Sequence, residues 1–538
     1  MRWWGWGDDA HAGSLPDTAI PLLRDELGVD GAARGPVALA DVRVDPSALG
    51  AGALDRLRAV AAVRDDHEAR VLHAAGKGYV DLVRLRAGEP EGTPDAVVTP
   101  GDTAGVGAVL EVCAAERIAV VPFGGGTSVV GGLTPLREGF AGLVSLDLAA
   151  LSGLVRIDDR SLTATVQAGV QGPELEAMLG AQGYTLGHYP QSFEYVSIGG
   201  CVATRSAGQA STGMGRIDEL VLGVRCVTPS GEIALRPIPA SAAGPKLREL
   251  IVGSEGTLGV ITEATLRIRP QPAATRYEGW MVPSFAAGAE AFRELEQSGH
   301  APDVARLSDP HETRFSMIVS GATAGTKGDL LRRYLNLRGI EQGCLAIVGW
   351  LDDPDSTAAR RAATGAALRR VGGAGLGASA GRSWEHGRYH GPYLRDHLLD
   401  RAVMAETLET ATTWDNVFGV YTAVTDALRS ALSSRGTPPI VWCHISHLYP
   451  SGCSLYFTFL ARQERGAEIE QWAAAKRAAS EAIVASGATI SHHHGVGRDH
   501  AAYLHGEDGT LGLAALRAVK AELDPVGIMN PGKLLPAA

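Results

Sequence analysis

The chain has 538 residues, 45% of them hydrophobic and 20% charged, with a formal net charge of −11. So long a chain exceeds one hydrophobic core and divides into at least two packed units, and its composition is that of a globular protein. The acidic balance argues against a broad nucleic-acid surface, which needs concentrated Lys and Arg, and no stretch approaches the ~20 apolar residues that span a bilayer.

Residues 1–93 begin Met1-Arg-Trp-Trp-Gly-Trp-Gly, with no apolar run of signal-peptide length, and continue as a helical region rich in Ala, Arg and Asp. Pro90, Gly92 and Pro94 break the pattern and place a boundary ahead of an α+β domain over 94–272. Within it a helix starts near Gly172 with Pro173 in its first turn. Strands are expected over 162–168 and 220–227, the second running into the turn Thr228-Pro229-Ser230-Gly231. Because these strands follow one another directly, without a crossover helix after each, the domain does not read as a doubly wound Rossmann sheet. A second domain over 273–460 mixes strands such as 344–350 with helices such as 358–371. A segment over 461–538 opens on an amphipathic helix, 462–486, that stops at Gly487. The six cysteines have neither zinc-site nor disulfide spacing, so reduced thiols and a cytoplasmic location are expected. The C-terminal Leu-Leu-Pro-Ala-Ala is not a peroxisomal address.

Three segments carry the cofactor signal. The first is Pro122-Phe123-Gly124-Gly125-Gly126-Thr127-Ser128, directly after a β-branched strand. Its glycines free the backbone for a close ligand, and its N–H groups and hydroxyls can cradle a pyrophosphate. It is no Walker loop, since no Gly-Lys-Ser/Thr follows, and no dinucleotide fingerprint, since Val129 stands where a third glycine belongs. The second is Pro190-Gln191-Ser192-Phe193-Glu194-Tyr195-Val196, continuing through Ser197-Ile-Gly-Gly to Ala203-Thr204-Arg205-Ser206. The third is Glu255-Gly256-Thr257-Leu258-Gly259-Val260-Ile261, preceded by Gly253-Ser254. In this order the three resemble the FAD-binding domain of the vanillyl-alcohol-oxidase (PCMH-type) flavoproteins. The resemblance implies FAD, with residues 122–128 on the pyrophosphate and the others on the rest of the cofactor. Residues 121–133 contain neither His nor Cys, where covalent members usually place a histidine, so noncovalent FAD is expected.

Two further segments point to chemistry. Three adjacent imidazoles, His492, His493 and His494, precede Gly495-Val-Gly497. They cannot all face one way from an extended backbone, but one or two can reach a pocket, where imidazole suits proton transfer or anion binding; as a metal site the triplet is incomplete, and no metal is expected. In Cys443-His444-Ile445-Ser446-His447, with Leu455-Tyr456-Phe457-Thr458-Phe459 after a Pro-Ser-Gly turn, alternation places Tyr456 and Thr458 opposite Leu455, Phe457 and Phe459.

With Gly-Trp-Gly near the N-terminus and Val202-Ala-Thr-Arg-Ser-Ala-Gly208, these segments make nearly the whole chain similar to the alkylglycerone-phosphate synthase family. The resemblance implies a two-lobed α+β fold, a PCMH-type FAD domain plus an α/β cap. It makes Tyr456 the catalytic acid/base, His492, His493 and His494 its histidine cluster, Arg306 a residue needed for activity, and Arg395 a substrate-binding residue. The implied reaction exchanges the acyl chain of acyl dihydroxyacetone phosphate for a fatty alcohol through a bond to flavin N5, making an ether lipid. Partners are then a lipid phosphate and a fatty alcohol, without nucleic acid; peripheral membrane contact and a homodimer stay open. The alternative is an FAD-dependent dehydrogenase of a 2-hydroxy acid such as D-lactate, whose relatives carry a metal-binding His-x-Gly-Asp-Gly-Asn-x-His that has no counterpart here.

Overall fold

A computed structural model describes residues 1–8, 14–29, 33–323 and 325–535. The first lobe holds two main sheets around one core, in which Val106, Leu110, Ile118, Val144, Val166 and Val224 are buried together, and a two-stranded ribbon of Tyr184–Thr185 with Arg269–Pro270. In the smaller sheet the strands Ala96–Thr99 and Ile118–Phe123 flank Gly142–Asp147 and run parallel to it. Parallel strands need a crossover, and the helix Thr103–Glu116 supplies it. Asp102 caps that helix by accepting the Gly105 N–H, and Arg117 ends it at φ +53°. The expectation that strands follow one another without such helices therefore fails for this sheet. It holds for the five-stranded antiparallel sheet, ordered Leu154–Asp158, Thr163–Gln167, Val260–Arg267, Val221–Thr228, Gly231–Leu235.

The region before the first lobe carries short helices, Ala19–Leu27, Ala51–Arg58, His67–Leu72 and Tyr79–Arg86, joined by longer irregular segments, and its Ala62–Arg64 pairs antiparallel with Ala96–Thr99 and extends the smaller sheet. Trp6 is buried at the junction of the lobes, its backbone N–H donating to Asp396 Oδ2 at 2.6 Å and its ring edge-on to Tyr195.

The second lobe is a seven-stranded sheet in which every neighbouring pair is antiparallel. Its order is Ala374–Gly377, Ala274–Val282, Cys344–Asp352, Val304–Ser308, Ile440–Tyr449, Gly452–Arg462, Val403–Thr413. One face packs on helices including Phe285–Gln297, Val417–Ser433 and Glu468–Ala485. Leu455, Phe457 and Phe459 point into that layer and are fully buried, each worth about 1.5–3 kcal/mol. The period of two turns Tyr456 and Thr458 to the opposite face, toward the first lobe. The helix expected from 462 begins only at Glu468, because the strand runs on to Arg462 and Gly466, at φ +80°, turns the chain. No helix among the described residues is long and apolar enough to cross a membrane.

The end of the chain returns to the first lobe. Met529 bridges Val120, Asn530 N–H donates to Val120 O at 2.8 Å, and Ile528 and Met529 are fully buried in its core.

Candidate active site

A cavity of about 490 Å³ lies between the lobes. Its first-lobe wall is the glycine loop after Ile118–Phe123. A methyl group on Gly125 would stand 1.9 Å from Tyr195 O, and one on Gly124 2.1 Å from Ser197 Oγ. Two loops thus pack backbone to backbone, which only glycine allows. Ser197 accepts the Gly200 N–H and starts the helix Ile198–Thr204 beside them. Asn530 closes this side: its Nδ2 donates to Gly132 O and Glu255 O, while its buried Oδ1 has no partner.

Of the residues expected at the cofactor, Pro122, Phe123, Gly124, Gly125, Gly126, Thr127, Ser128, Pro190, Gln191, Ser192, Val196, Ala203, Thr204, Ser206, Glu255, Gly256, Gly259 and Ile261 line the cavity. Seven do not. Phe193 stacks on Tyr389, Glu194 accepts from Tyr393 OH, and Tyr195 meets Trp6. Arg205, at φ +52°, turns away to Asp218 and Glu249. Thr257 donates to Ser254 O, and Leu258 and Val260 are core. These motifs alternate ligand-facing and packing positions, and a contiguous motif counts both.

The opposite wall is the free face of the seven-stranded sheet. Ser308, His444, Tyr456 and Glu409 stand in register on four adjacent strands, so their side chains share a face. His444 stacks on Tyr456, ring centroids 4.8 Å apart. Arg306, two residues before Ser308, donates to Glu312 Oε1 at 2.6 Å, and His444 Nδ1 lies 3.0 Å from the same oxygen. Burial works to raise the Glu312 carboxyl, and the adjacent Arg306 and His444 outweigh it and hold it low. Burial pushes the Tyr456 phenol up to about 12, which keeps it protonated near neutrality.

The histidine loop closes the site from the side. His493 and His494 line the cavity, whereas His492 does not; it sits behind them with Nε2 2.6 Å from Tyr449 OH. Burial pulls both His492 and His494 down to about 3, so both rings are neutral. Glu255 fastens this loop to the first-lobe wall by accepting the N–H groups of Val496 and Gly497 at 2.6 and 2.7 Å. Arg395 also lines the cavity; its Nη1 donates to Lys77 O, while its buried Nε and Nη2 have no partner. An apolar arm of the same cavity is walled by Leu15, Ala19, Leu23, Phe315, Val319, Trp442 and Leu460.

Two family models match, "FAD binding domain" over residues 94–235 and "FAD linked oxidases, C-terminal domain" over 271–534. The alkyldihydroxyacetonephosphate synthase of Dictyostelium discoideum is 32% identical, over 100% of this chain and 93% of that protein. The same enzyme from Trypanosoma brucei brucei is 33% identical, over 92% and 82%. The chain belongs to the alkyldihydroxyacetonephosphate synthase family. A solved alkyldihydroxyacetonephosphate synthase superposes with a TM-score of 0.85 at 28% identity, covering 99% of this chain and 98% of that one. A p-cresol methylhydroxylase structure, at 15% identity and a TM-score of 0.65 over 92% and 99%, shares the two-lobed fold.

As in the alkyldihydroxyacetonephosphate synthase family, the cofactor is FAD. The first-lobe wall fits it, with a cradle that any Cβ would fill and an unsatisfied Asn530 Oδ1 at its edge. The sequence motifs did not single out Glu409 or Glu312, and gave Trp6, Asn530, His444 and His447 no role in the site. A usable signal for Glu409 is a glutamate within the apolar strand Val403–Thr413, since a buried carboxylate requires partners.

Proposed function

We infer that the chain exchanges the acyl group of an acyl dihydroxyacetone phosphate for a fatty alcohol. The acyl group and the ester oxygen leave together as the fatty acid, the alcohol oxygen takes their place on the same carbon, and the alcohol proton balances the acid. What carries this reading is one cavity that joins a buried phenol, a guanidinium with two unpartnered donors, and an apolar arm. A phosphate head, a reacting carbon and a long chain call for those three features.

FAD, held noncovalently by the glycine loop and the Glu255 segment, supplies the electrophile that makes substitution at this carbon possible. Tyr456 and the neighbouring His493 and His494 move the proton at that carbon. Arg395 binds the phosphate through its free fork of donors, with Arg306 held in place by Glu312. Leu15, Ala19, Leu23 and Phe315 take the hydrocarbon chain and exclude water.

Purified protein given acyl dihydroxyacetone phosphate and hexadecanol should release fatty acid and form alkyl ether in equal amounts, with the flavin oxidised at the end. Tyr456→Phe should lower this rate by about 10²–10⁴-fold, the range of general acid–base contributions, with FAD content unchanged. Bleaching of the flavin by a 2-hydroxy acid under anaerobic conditions, without ether formation, would overturn the reading.

A further inference from the structure

Glu409 is the most enclosed charge in the molecule's site: its side chain has no exposure, and four imidazoles surround it. His492 Nδ1 lies 3.3 Å from Oε1, His493 Nδ1 is in close contact with Oε2, His447 Nδ1 is 3.6 Å from Oε1, and His494 Nε2 is 4.0 Å from Oε2. Ser446 Oγ donates to Oε1 at 3.0 Å. The other ionisable groups around it are Tyr456, opposite it on the adjacent strand, and Cys443, His444 and Tyr449 on the strand beyond, all of which feel its charge. On its own strand Glu406 turns to Trp472 Nε1.

A carboxylate accepts and does not donate, so a ring nitrogen bonded to it must carry a proton. We propose that Glu409 is the positioning residue of the histidine cluster, holding His492 and His493 as Nδ1–H tautomers and so leaving Nε2 as the nitrogen that His493 offers to the cavity. Three contacts fit. His492 Nε2, left as an acceptor, takes the Tyr449 hydroxyl at 2.6 Å. His447 Nε2 is committed to Gly208 O at 3.0 Å, so its proton lies away from Glu409 and its Nδ1 accepts from Ser454 Oγ at 3.2 Å. The Glu409 carboxyl itself is held well below the usual range, burial opposing and His493 and His492 outweighing it, so it stays an acceptor throughout the working pH range. This role deepens the exchange reaction inferred above and rests on it only for the identity of the substrate.

Glu409→Gln keeps the shape but replaces one acceptor by a donor, which one of the two rings can meet only by changing tautomer. With ¹⁵N-histidine labelling, the native protein should give two Nδ1–H signatures that Glu409→Gln reduces to one. The variant should keep its FAD, lose roughly 10–100-fold in kcat, the usual cost of an orienting partner, and show a displaced pH profile for kcat. Glu409→Asp should recover part of the rate. Unchanged tautomers and pH profile in Glu409→Gln would overturn the proposal. So would stoichiometric divalent metal in the native protein, since Glu409, His492 and His493 have ligand atoms within 4.8 Å of one another and would then be its ligands. Native Nδ1–H signatures together with no ether formation would leave this proposal standing and sink the exchange reaction.

Discussion

The side chains that define the site differ in how each is made to fit. Arg395 is held at one end by Lys77 O and presents Nε and Nη2 unpartnered. A lysine keeps the charge but loses the fork. Arg395→Lys should therefore raise KM for the phosphate-bearing substrate about 10–100-fold, from the loss of one charge-assisted bond worth about 1.5–3 kcal/mol, with little change in kcat in steady-state kinetics. The face on which Tyr456 lies was legible from alternation, because Leu455, Phe457 and Phe459 define the buried face of its strand, but its place in the site came only through family resemblance. Arg306 and Arg395 were legible only through family resemblance, since an arginine's neighbours in sequence do not say whether it points to solvent or to a cavity. Glu409 could be noticed as a glutamate in an otherwise apolar strand, but its partners were not legible: they come from residues 446–447 and 492–494, and nothing local pairs them.

At the scale of elements, the glycine loop and the segment 190–197 act as one unit, since each fills the space a side chain on the other would need. Gly125→Ala would place a methyl group 1.9 Å from Tyr195 O, a clash between backbones that cannot relax locally; overpacking of this kind costs about 1–3 kcal/mol or more. The variant should be purified with little bound flavin, read from visible absorbance, whereas Gly101→Ala, with nothing within 4 Å, should keep its full complement. Motif order revealed this cradle, but not which residues of each motif face the ligand. That depends on the pleat and on turns such as Arg205 at φ +52° and Glu255 at φ +51°.

The whole molecule is built around buried ionisable groups whose states folding fixes. His188 is buried, with Nε2 3.0 Å from Ser206 Oγ and Nδ1 without a partner; burial, then the nearby His493, His447 and Arg216, pulls it from 6.5 to about 3. Between those values the unfolded chain binds a proton that the folded one refuses. Stability linked to this ring is therefore intact above pH 6.5 and erodes as pH falls toward 3. Thermal unfolding followed across that window should show a shallower acid-side decline in His188→Gln than in the parent protein. The division into two lobes was legible from length and breaks in composition. The parallel crossover and the way the chain closes on itself were not, because they join distant residues.

That closure constrains how the protein is made. The flavin lobe takes its edge bridge and two core residues from Ile528 and Met529, and Asn530 joins the glycine loop to Glu255. A ribosome has emitted the whole cap before those residues appear. The nascent chain thus carries an unfinished flavin lobe until residues 528–530 have followed the cap, and the cradle is complete only once they have packed back onto it.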